Sequence, residues 1–283
     1  MNNCLVTKLK GSVANSNLPI LNAFKVALSA GTNIKAHLQC VGSNVKIYTT
    51  DGEFQYNFTP GNISYPQYTP AQDTFLVVSN KYALTEYVAI ADANTIGIQK
   101  ITEKLDTMKH CSNLTNLAAN FTGGDLSDIA DILPNLTNLI LGKTNSDSEY
   151  ITGDISLLST NDKITSLQGI LDYTDITGDF STLGAKAHYV YVSTNRGRKA
   201  TWKTTRNSSY PIISFVSPQT GNSYIDFGTD LDNMLINQAN CSLTGTYTNK
   251  KIIVSGTRTN ASDDAVATLK EKGYQIIING SVL

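Results

Sequence analysis

The chain has 283 residues, enough for one large domain or two modest ones, each with its own core. Lys plus Arg number 22 and Asp plus Glu 23, a formal net charge of -1, so no global basic field calls for nucleic acid and no acidic excess marks a solvating tail. Charged residues are only 16% of the chain, and Asn, Ser and Thr fill the deficit; a polar but uncharged surface suits β-rich and repeat architectures better than helices rich in Glu and Lys.

The first ten residues lack a charged region followed by an apolar stretch, so no secretion signal is expected, and Cys4 is not a lipid-attachment site. Nowhere is there an apolar run of the roughly 18 residues that a membrane-spanning helix needs. Residues 1–80 read as β. Phe24, Val26 and Leu28 alternate with Lys25, Ala27 and Ser29, and short runs follow over 33–38 and 44–49. Asp51-Gly52 marks a hairpin turn before 53–58, where the aromatics sit at period two. A loop bearing Pro and Tyr leads to a last strand over 74–78, so a small sandwich or partial barrel is expected.

From residue 80 the pattern changes. Segments 81–91 and 98–110 read as helices. An internal repeat then appears. Ile151-Thr-Gly-Asp-Ile-Ser returns as Ile176-Thr-Gly-Asp-Phe-Ser 25 residues later, with a looser copy at Phe121-Thr-Gly-Gly-Asp-Leu-Ser. In step with it, Asn113-Leu-Thr-Asn-Leu117 returns as Asn135-Leu-Thr-Asn-Leu139 and as Lys163-Ile-Thr-Ser-Leu167, at spacings of 22 and 28. Units of 20–29 residues are the period of leucine-rich repeats. The leucines would line the inside of a short strand, and the Ile-Thr-Gly-Asp phrase would turn the chain and close the other side of the coil. Gly153 and Gly178 would permit the bend, and Asp154 and Asp179 would bond backbone amides there. Further on, 188–192, 211–215, 251–255 and 274–278 read as strands and 231–240 as a helix. Ser262-Asp-Asp264 caps a second helix over 265–272, which Gly273 ends.

The opening Cys4-Leu-Val-Thr-Lys-Leu-Lys-Gly-Ser-Val, then Ala23-Phe-Lys-Val and Val78-Ser-Asn-Lys-Tyr-Ala-Leu-Thr, resemble leucine-rich-repeat proteins of Bacteroidetes and of their phages and prophages. The Ile-Thr-Gly-Asp-Ile-Ser repeats and the ending from Ser255 to Tyr274 are similar to that family as well. The resemblance implies an N-terminal β domain joined to a leucine-rich solenoid. It implies no catalytic residue, and its phage context implies a virion component. The repeats are few and irregular, which argues against a long concave binding face.

Little in the chain points to chemistry. His37, His110 and His188 stand in different segments, with no pair at metal spacing. Phosphate-binding glycine loops and the G-x-S-x-G elbow are missing. Asp125, Asp128 and Asp131 read as a solvated helix start, and Asp226, Asp230 and Asp232 lack the remainder of a calcium loop. Cys4, Cys40, Cys111 and Cys241 are widely spaced. Buried free thiols are expected, with one disulfide still compatible. One charge feature stands out: Lys186, Arg196, Arg198, Lys199, Lys203 and Arg206 lie in a stretch without acidic residues, around Trp202, the single tryptophan. Arg196, Arg198, Lys199, Trp202, Lys203 and Arg206 are therefore the candidate interface, set against the bland alternative of a solvated loop.

The expectation is an α+β protein: a β-sandwich-like domain over 1–79, for docking or oligomerisation, then a short leucine-rich solenoid with a β-α-β cap over 80–283. The expected role is a non-enzymatic phage or prophage virion protein, in capsid decoration, fibre or tail. It would contact other virion proteins, itself as a homo-oligomer, or a host-surface glycan or protein. The alternative is a glycan- or protein-binding module on the surface of a gut bacterium. No catalytic residue, metal or cofactor is expected, and neither membrane insertion nor nucleic acid binding.

Overall fold

A computed structural model describes residues 22–28, 30–31, 37–50, 52–61, 68–88, 100–143, 149–169, 174–191, 200–206, 214–216, 225–242 and 250–283. The N-terminal part is antiparallel. Its strands are β1 (Ala23–Leu28), β2 (His37–Cys40), β3 (Val45–Thr49), β4 (Gln55–Phe58) and β5 (Thr74–Ser79). β5 lies between β1 and β3, and β3 pairs with β4 as the expected hairpin, Tyr48 opposite Gln55. Gly52 supplies the turn at φ 82°. The period-two pattern sends Phe24, Val26, Val45, Ile47, Phe58, Leu76 and Val78 into the core.

The next segments differ from the helices expected over 81–91 and 98–110. Among their described residues, Lys81–Ala83 is a single 3-10 turn, followed by β6 (Leu84–Val88); β7 (Lys100–Ile101) is followed by a 3-10 turn at Leu105–Met108. Leu84 and Tyr87 stand at i, i+3, a helical spacing. It is also the spacing of Leu114 and Leu117, where a corner leads into a strand. A waiting partner strand settles the ambiguity: Glu86, Tyr87 and Val88 align with Asn116, Leu117 and Ala118.

The chain continues through β8 (Asn116–Phe121), β9 (Gly124–Asp125), β10 (Asn138–Lys143), β11 (Ile151–Asp154), β12 (Ser166–Gly169), β13 (Thr174–Asp179), β14 (Tyr189–Tyr191), β15 (Ala200–Thr201) and β16 (Ser214–Val216). Helix α1 (Leu231–Asn240), β17 (Lys251–Val254), helix α2 (Asp263–Glu271), β18 (Gln275–Ile278) and β19 (Ser281–Val282) complete it. Helix α1 has the expected bounds. Ser262 precedes α2 but makes no side-chain cap; its hydroxyl donates instead to Asp232 at 2.5 Å.

Two parallel ladders result. β6, β8, β10, β12, β14, β16, β17 and β18 lie side by side in that order. β9, β11, β13 and β15 form a second, four-stranded ladder. Leu117, Leu139, Leu167, Val190, Ile252 and Ile276 fill the space between, with Leu126, Ile155 and Phe180 entering from the other side. The repeated phrases thus map onto the two ladders. Ile-Thr-Gly-Asp forms the short strands, and a 3-10 turn follows each.

The N-terminal strands are not a separate sheet. β7 pairs with both β1 and β8, while β2 pairs with β6, so two arms join the long sheet at β8 and the boundary expected at 79–80 interrupts neither sheet nor core. The sheet is mixed, with fifteen strands among the described residues, and does not close into a barrel.

Candidate functional site

Alternation along the parallel strands sends Leu117, Ala119 and Phe121 of β8 into the core, so Asn116, Ala118 and Asn120 point the other way. The register carries this across the sheet. One row on the outer face runs Glu86, Asn116, Asn138, Ser166 and Tyr189, and beyond β16 it resumes with Lys251 and Gln275. A second row holds Val88, Ala118, Ile140, Ile253 and Ile277. Neighbouring strands stand about 4.8 Å apart, so the side chains form a regular strip. Asn138 donates to Asn116 Oδ1 at 2.9 Å, and Tyr189 is 43% exposed. Asn120 Oδ1 and Asn138 Oδ1 are buried without a hydrogen-bond partner. The face is longer than the irregular repeats suggested, because uneven segments between strands leave strand register untouched.

The acidic residues are engaged in turns. Asp125, Asp154 and Asp179 each end a short strand and accept from the backbone N–H of Ser127, Ser156 and Ser181, at 2.9, 2.8 and 3.0 Å. This is the role expected of Asp154 and Asp179. Asp128 completes a capping box with Asp125. Burial pushes the Asp125 carboxyl up, but bonds from Thr152 and Ser127 outweigh it and hold it below the usual range. Asp232 behaves likewise: burial opposes, and Ser262, Thr259 and Arg258 together prevail. Asp226 accepts from Gly228 N–H and Asp230 from Trp202 N–H. Among the described residues no group of three His, Cys, Asp or Glu is placed to hold a metal ion.

Of the candidate interface, Arg196, Arg198 and Lys199 lie outside the described residues. The remaining three do not form a common surface. Trp202 is 1% exposed and meets Phe227 edge-on at 6.2 Å. Arg206 is 4% exposed, and Lys203 alone of the three is exposed. The Arg206 guanidinium donates to the carbonyls of Leu183, Gly184, Ala185 and Ala187 at 2.6–3.1 Å. Burial pushes its pKa down to about 10. The residue serves the fold, tying one pass of the chain to the pass before it.

His110 is exposed, and its backbone and ring nitrogens both face Asp131 Oδ2. Burial, with Arg206 nearby, holds the His188 imidazole below its ordinary range. Cys40, Cys111 and Cys241 are buried free thiols, and burial pushes Cys111 up to about 11. No described helix is long and apolar enough to cross a membrane.

No family model, curated protein or solved structure matches this chain. The functional reading therefore rests on its own residues. The outer row was present in the repeat phrase Asn-Leu-Thr-Asn-Leu, as the second Asn; attention to the leucines alone passes over it.

Proposed function

We propose that this chain is a non-enzymatic structural and binding protein of a phage or prophage particle, built as a leucine-rich-repeat-type solenoid. What supports the solenoid is the match between the repeat phrases and the two parallel ladders. The single observation that carries the function is the outer face. It is a row of positions held in one register over eight strands, and between Glu86 and Lys251 its described side chains are uncharged. Such a strip suits contact with an extended partner. The phage setting comes from the resemblance at both ends of the chain.

The same face would serve a surface module of a gut bacterium, and the uncharged row around Tyr189 favours keeping that second reading. Mass spectrometry of purified extracellular particles and of cell fractions separates the two. Stoichiometric recovery with capsid and tail proteins is the expected result. Recovery in the cell envelope alone would transfer the face to the bacterial module.

A further inference from the structure

We propose that the outer face around Tyr189 binds a neutral oligosaccharide laid across β10, β12 and β14. This rests on the reading of that face as a binding surface and names its ligand. Between Glu86 at one end of the row and Lys251 at the other, the described side chains are Asn116, Asn138, Ser166 and Tyr189. Amides and hydroxyls donate and accept without carrying charge, so from β8 to β14 the described residues of the row offer no charge to pair with a phosphate, a sulfate or a carboxylate-rich chain. Its complement is a ligand equally rich in hydrogen bonds and equally uncharged.

The second element is the aromatic. Tyr189 is the exposed large hydrophobic side chain of the parallel ladder among the described residues, at 43% exposure, whereas its neighbour Val190 is buried. A tyrosine ring in water, next to small polar groups, provides a flat apolar surface with a polar tip. The C–H face of a pyranose ring pairs with the first, and its equatorial hydroxyls with the second and with the amides beside it.

The test is affinity electrophoresis of the full chain in gels containing a neutral β-glucan, mannan or starch, or the acidic polymers hyaluronan or pectin. The expected result is retardation by at least one neutral polymer, unaffected by added salt. Tyr189→Ala should weaken it about tenfold and Tyr189→Phe by less than about twofold. Phe75→Ser, at an exposed aromatic on β5, should leave it unchanged. Melting curves verify that each variant folds. Retardation by acidic polymers alone, no retardation by any neutral polymer, or wild-type behaviour of Tyr189→Ala would overturn the proposal. Failure here with recovery in particles would leave the structural role standing. Capture of a protein partner through Tyr189, without sugar binding, would assign the face to protein instead.

Discussion

The two ends of the parallel ladder close their passes differently. Between Leu105 and Thr182 the return is made by 3-10 turns of three or four residues, each short strand ending in an aspartate cap. After residue 230 the return is made by α1 and α2, of ten and nine residues. The strands on the other side keep one register throughout. The back of the molecule can therefore change in bulk while the outer face stays regular. The difference lies in tolerance. The 3-10 passes approach one another closely enough to require glycine, as at Gly153; the helical passes share this at Gly256, against Gly228 and Leu231, and add long side chains such as Lys272, whose ammonium donates to the carbonyls of Ala239 and Cys241 at 2.5 and 2.9 Å.

The largest effect tests whether both kinds of pass share one cooperative core. Leu139 is fully buried in the row that links them, so Leu139→Asp places an unpaired charge there and should cost about 5 kcal/mol or more, abolishing the thermal transition. A soluble variant with an unchanged melting curve would refute the shared core. Next comes the junction between them. Arg206→Met strands the carbonyls of Leu183, Gly184, Ala185 and Ala187 and should cost about 3 kcal/mol in urea unfolding, against about 1 kcal/mol for Lys272→Met.

The glycines sharpen the contrast further. At Gly153, with φ 144°, an added Cβ would lie 2.6 Å from Leu126 Cβ; at Gly273, with φ 83°, the nearest atom is the flexible Lys250 Nζ at 3.5 Å. Gly153→Ala should cost about 3 kcal/mol and Gly273→Ala about 1 kcal/mol. Equal losses would remove the distinction between the close approach at Gly153 and the open helix end at Gly273.

The smallest expected effect is acid sensitivity. Asp125 and Asp232, one from each kind of pass, have depressed folded-state pKa values. Such groups contribute stability that is complete above the unfolded value, 3.8 for Asp, and is lost as pH falls through the folded one. Solvent screening keeps the contribution small. As pH falls below about 4, Asp125→Asn and Asp232→Asn should each flatten the acid limb of stability relative to the unchanged protein. An identical pH profile in both variants would deny the caps their role.

The period, the two phrases and α1 were legible because each depends on local pattern. The helices expected over 81–91 and 98–110 were not, since Leu84 and Tyr87 have a spacing that suits a helix as well as a corner and strand. Only the neighbouring strand β8 decides. The basic loop misled for a related reason. Charge counted along the chain cannot reveal that Arg206 finds carbonyls some twenty residues earlier and is buried by them. Tyr189 and the asparagines were visible as residues, but their alignment emerges only with the register.

Because each parallel strand from β10 to β17 pairs only with its two neighbours, the molecule has a natural unit of length. Excising residues 138–165 would set Ser166 beside Asn116, restore a hydroxyl–amide neighbour pair on the surface, and bring β13 against β9. The product would be the same protein about 4.8 Å shorter. A lineage carrying such a gene can lengthen or shorten its reach by recombination between repeats, in single steps, without inventing a new fold at each one.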